Sequence, residues 1–231
     1  MVVIGKINCI LGKIFCRNYF AIIYFNFRML PIGQAIKLPF DFKFKIRFEA
    51  LSGVVEIKSN KLYRGMIKIG GRGSDMFGRT TTVLNIKGSW ILEDQIEIGH
   101  GALIDVRENG NLVFGNRVRI GAKTKVFCVK NISIGNEVDV SWECQIFDTN
   151  FHDIVDTVSG FVEEKNGDIS IGNNVWIGNR VTISKSSFIP DDIIVASNSL
   201  CNKNYSNVKP YTILAGLPVS VVRYNKKRIF E

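Results

Sequence analysis

From Ile171 to Leu200 the chain reads IGNNVW, IGNRVT, ISKSSF, IPDDII, VASNSL: five consecutive six-residue units, each opening on Ile or Val. A lone strand alternates every second residue and a helix repeats about every 3.6, so neither explains an apolar residue at each sixth position. Period six fits a short strand and a turn per unit, the repeat of a parallel β-helix. The opening residue is expected in a narrow core. The second is often glycine, as at Gly172 and Gly178, which suits the backbone conformations of a tight corner. The fifth is small or β-branched (Val175, Val181, Ser187, Ile193, Ser199), where a thin prism leaves little room.

With insertions allowed, the count extends back to Leu92. Units open at Leu92, Ile98 and Ile104, at Phe114, Ile120 and Val126, and at Ile134, Val140 and Ile146. They resume at Ile171, Ile177 and Ile183 and close with Ile189, Val195 and Cys201. The interruptions are residues 110–113, 132–133 and a long stretch from His152 to Ser170, and each follows a third unit. With three units per triangular coil, all insertions leave from one corner, and repeat proteins often carry their binding face where insertions cluster. The reading is an all-β solenoid of at least five coils with its function along one edge.

Three segments follow. Residues 1–66 form an N-terminal amphipathic segment and cap, 67–209 the β-helix with a corner loop at 152–170, and 210–231 a short C-terminal tail. Within the first, Ile4, Ile7, Leu11, Ile14 and Phe15 share one helical face, with Lys6, Lys13 and Arg17 outside it. That pattern fits a helix packed on the body or a partner, and it also fits a basic segment lying on a membrane surface. The longest uncharged run, 18–27, falls far short of the ~20 residues that span a bilayer, and no small-residue cleavage site follows it, so no signal peptide is expected. Residues 36–66 alternate apolar and basic positions, as strands with one wet face that close the open end of a solenoid. The glycine-rich stretch 71–82 reads as a loop without a phosphate-binding pattern.

A net charge of +9 favours anionic partners. The basic residues are dispersed and accompany no nucleic-acid motif, so no nucleic-acid partner is expected. Five cysteines, an odd number with no CxxC pair, read as reduced thiols of a cytoplasmic protein. Cys144 holds a fifth position and Cys201 an opening one, which makes both core residues.

There are two histidines. His100, third in its unit, is an outward position and reads as a solvated turn residue. His152 stands where the long loop departs, fixed at its root on a rigid scaffold and roofed by an adjustable segment. Imidazole exchanges a proton near neutral pH, and Asp148 or Asp153 is near enough in sequence to orient the ring. The loop carries Asp153, Asp156, Glu163, Glu164 and Asp168 against Lys165, so it is suited to a hydroxyl-rich acceptor or a neighbouring basic surface rather than to a phosphate.

The units, the loop-borne His152, the run NNVWIGNRVTI (173–183) and the tail PYTILAGLPVSVVR (210–223) resemble the hexapeptide-repeat acyltransferases, above all bacterial polysaccharide O-acetyltransferases. The resemblance covers residues 92–223 well and the first 80 loosely. It implies a left-handed β-helix, against the right-handed rule for parallel crossovers, and a homotrimer with sites between neighbouring prisms. It implies acetyl-CoA as acyl donor, a saccharide acceptor in surface-polysaccharide biosynthesis, and direct transfer with His152 as general base. Carried over by position, Asn179 and Ser197 match residues lining the pantetheine arm. Asn202, Lys203 and Arg223 match those nearer the adenosine phosphates, where the two cations suit an anionic cosubstrate. Trp176 is read as packing at the cosubstrate or the subunit interface, with a purely structural role as the alternative. Three positions depart from the family pattern: Ile189-Pro190 replaces Ile-Gly, Ser197-Asn198-Ser199 replaces Ala-Gly-Ser, and Ser220 replaces a second basic residue of some relatives. Acylation of an amino sugar and a non-catalytic solenoid are the alternative readings. No metal is expected, since zinc enzymes on this fold need three histidines.

Overall fold

The computed structural model describes residues 17–72 and 77–229. Its strands form three parallel-paired sheets that are the three faces of one prism. The first face has nine strands, from Phe40–Phe42 to the antiparallel last strand Val219–Arg223. The second has seven, from Ile46–Leu51 to Leu200–Cys201, and the third six, from Val54–Ile57 to Phe188–Ile189. Each coil contributes one strand per face, as a left-handed β-helix requires.

The six-residue count predicts the vertical stacking. Leu92, Phe114, Ile134, Ile171 and Ile189 pair one above another on the third face. Ile98, Ile120, Val140, Ile177 and Val195 do so on the first. Ile104, Val126, Ile146, Ile183 and Cys201 do so on the second. All of them are at most 2% exposed, and each such side chain contributes on the order of 1.5–3 kcal/mol of hydrophobic burial. The fifth positions Val175, Val181, Ser187, Ile193 and Ser199 are equally buried, as is Cys144. Burial pushes the thiol of Cys144 up to about 11 and that of Cys201 up to about 12, as for inert core thiols. Cys9, Cys16 and the apolar stripe over residues 4–15 lie outside the described residues.

Two expectations change. The first is where the prism begins. Phe42 pairs with Ile69 and Ile69 with Ile98; Phe48 pairs with Leu84 and Ile57 with Leu92, so the strands of residues 40–57 form the first coil and continue the three ladders. The six-residue count fails there because strands of three to six residues are joined by connections of unequal length. At the other end Thr212–Gly216 pairs parallel with Ile193–Val195, so the tail from residue 212 extends the first face.

The second change concerns the glycines. The left-handed backbone sits at the fourth residue of all five units from Ile171 to Leu200, at Asn174, Arg180, Ser186, Asp192 and Asn198, with φ near 56–63°. Gly172 and Gly178 serve a different need. A Cβ on Gly178 would lie 2.6 Å from the backbone nitrogen of Ser197, and one on Gly172 2.7 Å from that of Asp191. Glycine at the second position therefore answers close approach between successive coils, not backbone handedness.

A second ladder steadies another corner, between the third and first faces. The side-chain oxygens of Asn116, Asn136, Asn173 and Asp191 accept the backbone N–H of residues 94, 116, 136 and 173, one coil back, at 2.7–3.2 Å. Third-position Asn and Asp thus satisfy N–H groups that a corner would otherwise leave unpaired.

The N-terminal end is closed by helix α1, Tyr19–Met29, with the single turn α2, Ile32–Ala35, beside it. Asn18 caps α1 by accepting the N–H of Ala21. Phe25 packs edge-on against Phe40 and Phe42 at 4.7 and 5.2 Å between ring centres. Asn26, fully buried, donates to the Phe40 carbonyl and accepts the Phe40 N–H, so its amide stands in for the strand that the edge lacks. Asn26→Leu is expected to lose about 1–3 kcal/mol for each orphaned backbone group. Thermal melting tests this, and an unchanged midpoint would contradict it.

Candidate active site

The long insertion leaves the prism after Gln145–Phe147 on the second face and returns at Ile169–Ile171 on the third. Asp148 forms its root. The carboxylate, fully buried, accepts the backbone N–H groups of Val129 and Lys130 at 2.8 and 2.7 Å. Burial pushes its pKa upward, while those two N–H groups pull it down. From this root the loop runs as a two-stranded ribbon. Thr149 bridges Asn166 and Val155 bridges Val162, and the N–H of Asp156 donates to the Phe161 carbonyl at the tip. Asp156 holds the turn by accepting from Val158 and Ser159, bonds that draw its pKa down.

His152 is exposed on the outgoing arm of this ribbon. Its neighbour Phe151 adopts a left-handed φ of 64° and packs in a three-ring cluster, 4.8 Å from Phe127 and 5.8 Å from Phe147 between ring centres. Phe127 and Phe147 point out of successive coils of the second face, and the guanidinium of Arg107 lies 4.7 Å above the Phe127 ring. The cluster fixes the backbone next to His152 on the rigid prism. Sequence reasoning did not single out these rings, although two of them recur at the same place in successive coils.

Neither acid expected to orient the imidazole does so. Both Asp148 oxygens are taken by backbone donors, and Asp153 is ion-paired with Lys165 at 3.1 Å. The physical reason is that an acid at a corner is drawn to the unpaired N–H groups of the coil below. Asp148 therefore anchors the loop, and the ring orientation of His152 is left to its backbone seat.

The residues matched to an acyl donor fall on the C-terminal coils. Asn179 and Ser197 stack on the corner between the first and second faces, with the Ser197 hydroxyl 2.6 Å from Asn179 Oδ1. Trp176, on the strand leading to that corner, is 37% exposed, donates through Nε1 to Ser141 Oγ at 3.2 Å, and has the Arg228 guanidinium 5.3 Å over its ring. Asn202 and Lys203 are exposed just after Leu200–Cys201, at the corner that carries the long loop two coils earlier. Arg223 ends Val219–Arg223 on the first face, opposite Ile213. The structure thus joins Asn179 to Ser197 directly. Among the described residues no hydrogen bond or ion pair links His152, Lys203 or Arg223 to another of the set.

His100 is not a solvated turn residue. It is only 5% exposed, with Nδ1 3.3 Å from the Thr80 hydroxyl, because residues 77–81 fold over its corner. Phe77 there meets Trp142 and lies under Lys123. Burial pushes the imidazole pKa down, helped by Lys123 and Arg79. An unfolded chain then takes up this proton before the folded one does. The contribution of His100 is complete above the ordinary imidazole pKa and is lost as pH falls through the lowered value. Melting temperature should decline on acidification through that window, and His100→Gln should flatten the decline. An equal decline in the variant would contradict this.

No family model matches the chain. It is 26% identical over 199 residues, 86% of this chain and 85% of the relative, to a protein of the cps region of Klebsiella pneumoniae. It is 22% identical over 147 residues, 60% of this chain and 74% of the relative, to WbbJ of Escherichia coli (strain K12), designated a lipopolysaccharide-biosynthesis O-acetyl transferase. Shorter matches, to a galactoside O-acetyltransferase of Escherichia coli (strain K12) among others, span about 30% of the relatives' length. Among solved structures, the polySia-specific acetyltransferase NeuO superposes with a TM-score of 0.51 at 20% identity, covering 78% of this chain and 90% of that one. Repeat, prism and relatives together liken the chain to acetyltransferases built on the hexapeptide-repeat prism.

Proposed function

We propose that this protein is an acetyl-CoA-dependent O-acetyltransferase that modifies a saccharide hydroxyl in surface-polysaccharide biosynthesis. The observation that carries the reading is His152, exposed on a loop arm whose backbone is pinned to the prism by the Phe127–Phe147–Phe151 cluster. The polysaccharide relatives support the acceptor class.

In this mechanism a ring nitrogen of His152 takes the proton of the acceptor hydroxyl as its oxygen attacks the thioester carbonyl. The tetrahedral oxyanion collapses and expels the CoA thiolate, which recovers the proton from the imidazolium. The tetrahedral oxyanion requires a hydrogen-bond donor, and loss of one such donor typically costs a factor of ~10²–10³. Asn179 and Ser197 line the pantetheine arm, beside Trp176, while Asn202, Lys203 and Arg223 serve the phosphates. A homotrimer is supported by the loop, which exposes Ile154, Val155, Val158, Phe161 and Val162. A lone two-stranded ribbon is marginal in water, and a neighbouring prism would cover that apolar side. Sedimentation equilibrium reads the assembly directly, and a monomer at working concentration would contradict it.

The test of function is incubation with acetyl-CoA and a panel of saccharides, following free thiol and acceptor mass. Acetyl ester on a hydroxyl is expected. Acetyl found only on amino sugars, as an alkali-stable amide, would overturn the O-transfer reading.

A further inference from the structure

The N-terminal end of the prism has a face that the catalytic account does not use. Helix α1 is apolar on both sides. Its inner side, with Ile22, Phe25 and Met29, closes the first coil. Its outer side and the adjoining turn present Phe20, Ile23, Tyr24, Phe27, Ile32 and Ile36 to solvent, with Phe20 78% and Ile32 71% exposed. Contiguous apolar patches of this kind on a surface helix mark an interaction site, since a helix that is apolar all round is normally buried.

The charge around the patch identifies what covers it. Between residues 17 and 50 the chain carries six basic side chains and two acids, Asp41 and Glu49. Both acids are ion-paired within the segment, Asp41 with Arg17 at 3.1 Å and Glu49 with Arg47 at 2.6 Å, which leaves an excess of four cations. Arg28 closes the last turn of α1, Lys37 follows α2, and Lys43 and Lys45 sit at the first corner of the first coil, between Phe40–Phe42 and Ile46–Leu51. A second copy placed symmetrically on this face would set like charges against like, whereas anionic headgroups would neutralise them. No described helix is long and apolar enough to cross a membrane. The arrangement matches an interfacial seat, with aromatic and aliphatic side chains at the headgroup level and cations around them.

We propose that the α1 end of the prism docks on the surface of an anionic phospholipid bilayer. The contact stands the prism on its N-terminal coil. The candidate donor residues are then held at the far end, on the coils that close the chain. This surface is separate from the apolar side of the corner loop, which is the candidate contact between copies.

The test uses the full chain and vesicles of phosphatidylcholine with or without phosphatidylglycerol, read by co-sedimentation at low and high salt. Binding to the anionic vesicles is expected, weakened by salt and at least about tenfold stronger than to phosphatidylcholine alone. Phe20→Ser/Ile23→Ser should weaken it about tenfold or more, and Arg28→Glu/Lys37→Glu should abolish the anionic preference. Both variants should keep the parent's melting temperature and acetyl-CoA binding, which separates loss of docking from loss of fold. Absence of vesicle binding by the parent chain would overturn the proposal, as would equal binding by the Phe20/Ile23 variant. So would a change in sedimenting mass in that variant without vesicles, which would assign the face to a second copy or another protein.

Discussion

His152→Ala is expected to lower turnover by about 10²–10⁴, the range for loss of a general base, equivalent to about 3–5 kcal/mol of barrier. Acetyl-CoA affinity should hardly change. The matched donor residues stand on other coils, and no described hydrogen bond ties them to the imidazole. The split matters more than the size of the loss. A structural histidine would alter KM, melting temperature and turnover together, while a base removed from a pinned loop arm alters turnover alone. A variant that retains the parent's rate would remove His152 from the mechanism.

Gly178→Ala is the second large effect, and it falls on stability. The added Cβ would lie 2.6 Å from the Ser197 nitrogen and 3.0 Å from the Ala196 carbonyl carbon, backbone atoms that a neighbouring coil cannot easily yield. Overpacking of this kind costs about 1–3 kcal/mol, with each kcal/mol lowering the midpoint by roughly 2–4 °C in a chain of this size. Because Ser197 meets Asn179 across the same step, acetyl-CoA binding should weaken as well. Gly33→Ala supplies the control, since nothing lies within 4 Å of its Cβ position. Equal melting of the two variants would refute the close-approach explanation of second-position glycine.

Much of the prism was legible because its core is nearly one-dimensional. Each opening residue, from Leu92 to Cys201, stacks on a residue of the same class one coil away, so a period in sequence becomes a column in space. The first coil was hidden because Phe42, Phe48 and Ile57 belong to the same columns but are separated by irregular connections. The role of the glycines was misplaced for a related reason. Handedness is a property of one residue and can be guessed from its type, whereas close approach depends on the neighbouring coil.

The site was legible only in outline. The departure of the loop and the position of His152 follow from where the count breaks. The commitments of Asp148 to Val129 and Lys130, and of Asp153 to Lys165, do not, since they depend on donors from another coil or the opposite arm of the ribbon. His100 was misjudged in the same way. Its unit points outward, yet residues 77–81 cover it from a segment that shows no repeat.

The central claim is that the C-terminal coils hold an acyl donor for a base on the corner loop. Calorimetric titration of acetyl-CoA into the parent protein and into His152→Ala tests it most directly. Micromolar binding by both proteins is predicted. Absence of binding by both would contradict the account and leave a solenoid without an acyl donor.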